Sequence, residues 1–223
     1  MTNIVRTVYC LCLISVHMSV LAAAPGSAQD TTQAKHENKI IVFFGDSLTA
    51  GYGVAQAQAF PALIQEKIDA QGWNFHIVNA GLSGETTAGG LRRIDWLLQR
   101  PINVFVLELG ANDGLRGVDP EVTKRNLQAI IDRVKGKYPQ VKIVLAGMQI
   151  PPNLGRNHVT RFREIFPELA QANEVALIPF LLEGVGGRPE LNLRDGMHPA
   201  PAGYRLVAEN VWQVLEPVLR EMQ

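Results

Sequence analysis

Five short apolar runs, separated by segments with helical spacing, constrain this chain more than any other feature. They are IIVFF (40–44), FHIVNA (75–80), INVFVLEL (102–109), VKIVLAG (141–147) and VALIP (175–179). The runs are largely apolar on both faces, the pattern of strands covered from both sides. The clearest helical segment opens with Asp119 as N-cap, Pro120 in the first turn and Glu121 behind it. Leu127, Ile130, Ile131 and Val134 then follow the i, i+3, i+4, i+7 pattern, and Gly136 and Pro139 are the expected stop. Val207, Val211, Val214, Leu215 and Val218 form the same stripe near the end of the chain. Strands alternating with helices predict parallel strands joined by right-handed crossovers. The expected fold is one three-layer α/β domain of about five strands over residues 39–223. Hydrophobic residues at 47% and charged residues at 19% suffice for its core.

The first residues are expected to lie outside that domain. Arg6 precedes an apolar stretch from Val8 to Ala24, and AAAPGSAQD then offers small residues for cleavage after Ala24 or Ala28. Residues 1–28 read as a secretory signal peptide, with His17 breaking a run already short for a membrane span. Residues 29–38 (QDTTQAKHEN) read as a flexible lead-in. Both cysteines, Cys10 and Cys12, fall inside the leader. An exported mature chain would then have no disulfide, thiol nucleophile or cysteine metal site. It would be periplasmic or secreted, with no stable membrane insertion after cleavage.

In open parallel sheets, ligands sit beyond the carboxyl ends of the strands. There the sequence places Gly45-Asp46-Ser47, Gly81-Leu82-Ser83-Gly84-Glu85-Thr86, Gly110-Ala111-Asn112-Asp113 and, before the last helix, Asp195-Gly196-Met197-His198-Pro199. A serine needs a base, a group to orient that base, and donors for the oxyanion that forms. His198 can be the base and Asp195, three residues earlier, its orienter. His17 and His36 precede the domain, His76 sits in a strand and His158 on a helix face, and none has such an aspartate. Asn112 offers an amide donor, Gly84 a backbone N–H with no Cβ in the way, and Ser47 its own N–H. Asp46 and Asp113 read as loop supports, as do Ser83 and Glu85. Arg92 and Arg93 read as a solvated helix face. The frames around Ser47 and Ser83 do not complete a G-x-S-x-G elbow, and neither H-E-x-x-H nor a Walker A motif occurs.

The four blocks, in this order, resemble the SGNH (GDSL) hydrolases. FGDSLTAGYG, LELGANDGLRG, IPPNLG and DGMHP are similar to the bacterial thioesterase I / lysophospholipase L1 / arylesterase branch. The resemblance spans residues 39–220 and implies a flavodoxin-like sheet of order 2-1-3-4-5 and no cofactor. It implies catalytic Ser47, Asp195 and His198, and an oxyanion hole from Ser47, Gly84 and Asn112. It further implies acyl esters or thioesters as substrates, lysophospholipids among them, with GLRGV (114–118) closing over the acyl chain.

Two other readings are an SGNH-type O-acetylesterase acting on glycans and a non-enzymatic lipid-binding module. A complete serine, base and orienter set argues against the second, since binding alone needs no base beside a serine. Lysine plus arginine equals aspartate plus glutamate, 21 each, so bulk charge supports no nucleic-acid partner. No metal site and no obligate protein partner is expected.

Overall fold

The structure is a computed structural model, and it describes residues 38–223. The leader and all of the lead-in but Asn38 lie outside the described residues.

Five parallel strands carry the fold: β1 (Lys39–Gly45), β2 (Phe75–Asn79), β3 (Val104–Glu108), β4 (Lys142–Ala146) and β5 (Ala176–Ile178). They are ordered β2-β1-β3-β4-β5. Among the described residues seven α-helices accompany them: α1 (Ser47–Ala50), α2 (Phe60–Ala70), α3 (Thr87–Leu97), α4 (Ala111–Leu115), α5 (Pro120–Lys137), α6 (Arg156–Asn173) and α7 (Pro201–Arg220). Helix α2 packs on α7, while α3 packs on α5 and α5 on α6. The sheet thus has a helical layer on each side, as the doubly apolar runs require. Ile41, Phe43, Phe44, Phe105 and Leu107 are sealed from solvent. Each such burial contributes roughly 1.5–3 kcal/mol. β2, an edge strand, is less covered: His76, Val78 and Asn79 are exposed.

The α5 stripe is buried as its spacing predicts: Leu127, Ile130, Ile131 and Val134 have no exposed surface. Asp119 caps it by accepting the Glu121 N–H at 2.9 Å. The helix runs one residue past Gly136, whose missing side chain would meet nothing. The stop is Pro139, which forces Tyr138 out of helical geometry.

The chain first moves from β1 outward to β2, then crosses back to β3 on the other side of β1. This reversal is the switch point, where a crevice opens at the carboxyl ends of β1 and β3. Gly45 and Glu108 are register partners at those ends.

Candidate active site

The first strand ends in a turn built for Ser47. Asp46 leaves the strand and caps α1, its Oδ1 accepting the Leu48 N–H at 2.9 Å. Ser47 is therefore the first residue of a one-turn helix, nearly buried at 9% exposure. Gly45 is required by space. A Cβ there would lie 2.1 Å from Thr49 Oγ1 and 2.3 Å from Glu108 Oε2.

The loop before α7 delivers the imidazole. Asn192 and Pro199 pair across it, Leu193 N–H donates to His198 C=O at 2.7 Å, and Ala200 N–H to Leu191 C=O at 2.8 Å. Inside this small hairpin Asp195 Oδ1 accepts the N–H groups of Met197 at 2.9 Å and His198 at 3.0 Å. Asp195 Oδ2 lies 2.8 Å from His198 Nδ1, and His198 Nε2 lies 2.8 Å from Ser47 Oγ. A carboxylate can only accept, so Nδ1 carries the proton and Nε2 is free to accept from the serine hydroxyl. The backbone N–H groups of His198 and Met197, followed by the imidazole, hold the Asp195 carboxyl down at about 2. Tyr52 lies against the ring, with centroids 4.5 Å apart.

Gly84 reaches the same place through the loop after β2. Leu82 N–H donates to Gly45 C=O at 2.9 Å, tying that loop to the end of β1. Gly84 sits at φ +79, a left-handed backbone that glycine adopts without strain. The backbone N–H groups of Ser47 and Gly84 meet no acceptor among the described residues. Asn112 enters on α4, and its Nδ2 donates to Asp46 Oδ2 at 3.0 Å. One amide hydrogen is thereby fixed and the other left over. Next to it, Asp113 accepts the Thr87 N–H at 2.8 Å and hydroxyl at 2.6 Å, fastening α4 to the start of α3. Arg116 Nη2 adds a bond to Gly84 C=O at 3.1 Å.

All five residues picked from the sequence are thus found around the switch point. Three further contributors were not picked. Arg93 was read as solvated, and Arg92 is, but Arg93 turns inward. Its guanidinium lies 4.0 Å over the Phe44 ring, pairs with the buried Glu85 and donates to Ala80 C=O at 2.8 Å. Glu108 lies wholly buried beneath the turn, its Oε2 accepting from Asp46 N–H at 3.1 Å and Thr49 Oγ1 at 2.7 Å. An acid inside an otherwise apolar run was its signal in the sequence. Tyr52 falls inside FGDSLTAGYG but had no role assigned from the sequence.

Burial, opposed by the Leu48 N–H and the Asn112 amide, raises the Asp46 carboxyl to about 6. Burial and the adjacent Asp46 charge raise Glu108 well above the usual carboxylate range. Among the described residues, no group of three His, Cys, Asp or Glu side chains is arranged to hold a metal. No described helix is long and apolar enough to cross a membrane.

Comparison with known proteins agrees with this geometry. The profile of the GDSL-like Lipase/Acylhydrolase family matches residues 43–206. Esterase TesA of Pseudomonas aeruginosa is 39% identical over 191 residues, covering 85% of this chain and 92% of the relative. Thioesterase 1/protease 1/lysophospholipase L1 of Escherichia coli K12 is 36% identical over 80% of this chain and 84% of its own. A crystal structure of TesA superposes with a TM-score of 0.77 at 38% identity, covering 80% of this chain and 99% of that one. With the match running from inside β1 to inside α7, and relatives of this kind along most of the sequence, the chain belongs to the GDSL-like lipase/acylhydrolase family and is an esterase within it.

Proposed function

We propose that this esterase hydrolyses acyl esters and thioesters through a covalent acyl-enzyme on Ser47. The observation that carries this is the continuous line Asp195–His198–Ser47, two contacts of 2.8 Å each. His198 takes the Ser47 proton as Oγ attacks the carbonyl carbon. The oxyanion is held by the N–H groups of Ser47 and Gly84 and the spare amide hydrogen of Asn112. His198 then gives the proton to the leaving alcohol or thiol, the acyl-oxygen or acyl-sulfur bond breaks, and water repeats the sequence to free the acid. Asp195 holds the tautomer and balances the imidazolium charge.

Tyr52, Leu82, Leu115 and Met197 are large apolar side chains left exposed beside the four blocks. Such a rim suits a hydrocarbon acyl chain better than a sugar. The names of the relatives support the same substrate class, including lysophospholipids. The leader-like residues 1–28 support export, which favours envelope lipids or ester nutrients over cytosolic acyl thioesters.

The test is a series of p-nitrophenyl esters from acetyl to palmitoyl, with Ser47→Ala as control. A maximum at medium or long chains that disappears in the variant is expected. A sharp preference for acetyl would point to glycan deacetylation instead. No turnover by folded protein would sink the esterase mechanism.

A further inference from the structure

Glu108 is a carboxyl with no exposed surface that the proposed mechanism does not use. Its surroundings are asymmetric. Oε2 accepts from Asp46 N–H at 3.1 Å, Thr49 N–H at 3.3 Å and Thr49 hydroxyl at 2.7 Å. Oε1 is equally buried and meets no donor among the described residues. The Asp46 backbone N–H is bonded to Oε2, and the Asp46 carboxyl interacts with the Glu108 side chain. Two neighbouring carboxyls this deeply buried do not both stay charged, and one proton between them resolves the conflict. Asp46 is the group that must stay an acceptor, because its Oδ1 takes the Leu48 N–H and its Oδ2 the Asn112 amide. The proton therefore belongs on Glu108, and Oε1, the oxygen with no donor, is the place for it. The Tyr204 hydroxyl on α7 is also buried, with no hydrogen-bond partner among the described residues.

Gly45 leaves the space for this acid, since any side chain there would strike Glu108 Oε2. A glycine, a buried acid and the residue before the nucleophile thus form one assembly under the oxyanion donors. We propose that Glu108 is a positioning residue: protonated on Oε1, it donates to Asp46 and so aligns the Asn112 amide for the oxyanion. This rests on the role given to Asn112 above.

The experiment is a double-mutant cycle read as kcat and KM. Asn112→Ala, measured first, tests the underlying reading; a loss below about tenfold would take both that assignment and this inference with it. Glu108→Gln has a donor where Oε1–H stands and an acceptor where Oε2 stands, so it should keep kcat within about fivefold of wild type. Glu108→Met has the size but neither group, and should lower kcat about 100-fold with KM little changed, the cost of a misplaced catalytic group. In the Asn112→Ala background the same Met substitution should cost less than about threefold, because its effect runs through Asn112. If Glu108→Gln loses as much as Glu108→Met, the acid is needed as a charge and the inference fails. If the Glu108 and Asn112 losses simply multiply, Glu108 does not act through Asn112. Should Glu108→Met not fold, Glu108→Gln decides alone: a folded Gln variant with kcat below about a tenth of wild type overturns the inference.

Discussion

Asn112 Nδ2 donates to Asp46 Oδ2 at 3.0 Å, so the residue before Ser47 orients a side chain 66 positions along the chain. Asp46→Asn keeps the size and can still cap α1, but it turns an NH2 group toward the Asn112 NH2. Two donors facing each other should swing Asn112 away and lower kcat about 10- to 100-fold with the fold intact. Ester hydrolysis and circular dichroism on the same preparation check this. A loss below about threefold would separate Asp46 from Asn112.

The same substitution has a pH signature in stability. The Asp46 carboxyl is raised from 3.8 to about 6 by burial, so the folded protein holds a proton that the unfolded chain has lost between those values. Its contribution is therefore most favourable below pH 3.8 and is lost as pH rises through about 6. At ~1.4 kcal/mol per pH unit the limit is ~3 kcal/mol. Relative to wild type, Asp46→Asn should gain stability from pH 4 to pH 7, up to roughly that amount. Urea titrations at several pH values measure it, and a constant difference would mean that Asp46 titrates alike in both states.

Within the proposed mechanism, removal of the Asn112 amide should lower kcat roughly 100- to 1000-fold, as for any single oxyanion donor. Asp195→Ala should cost about 10- to 100-fold less than Ser47→Ala, since an orienter is not the reacting group. Single-turnover kinetics with an activated ester would reveal both. Equal rates in Asp195→Ala and wild type would remove Asp195 from the scheme.

Arg93 bridges the ends of β1 and β2 to Glu85, which is only 4% exposed. Arg93→Met would keep some packing on Phe44 but strand that carboxylate, a change that costs ~3 kcal/mol where a buried pair is broken. Equilibrium urea unfolding should show that loss. A change under ~1 kcal/mol would give Arg93 the standing of an ordinary surface ion pair.

Gly45→Ala should be among the most damaging single-methyl additions in the chain. The new carbon would sit 2.3 Å from Glu108 Oε2 and 2.7 Å from the Glu108 backbone oxygen, and the second cannot rotate away. Overpacking of this kind costs about 1–3 kcal/mol or more. A soluble variant with wild-type melting temperature and kcat would show that the turn can relax.

Much of the architecture is legible because doubly covered strands leave unbroken apolar runs, and all five correspond to strands. Their ends are less so. INVFVLEL becomes strand only at Val104, while Asn103 just before it bonds to both neighbours, its side chain accepting the Ile40 N–H at 2.7 Å. The residues of the proposed mechanism stand in glycine-rich blocks at strand ends, where topology alone directs attention. What supports them is hidden by long-range contact. Arg92 and Arg93 are neighbours in sequence but point about 100° apart on a helix, so one is solvated and the other lies on Phe44. Glu108 makes sense only once β1 and β3 are laid side by side.

The order of the sheet also sets a timetable. The first strand made is the central one of three, and its serine waits for a histidine 151 residues later. Under the proposed mechanism, a chain emerging amino-terminus first therefore carries its nucleophile without its base through most of its synthesis. In the proposed scheme hydrolysis becomes possible only when the hairpin before α7 closes, so a protein interrupted before His198 should leave the esters around it intact.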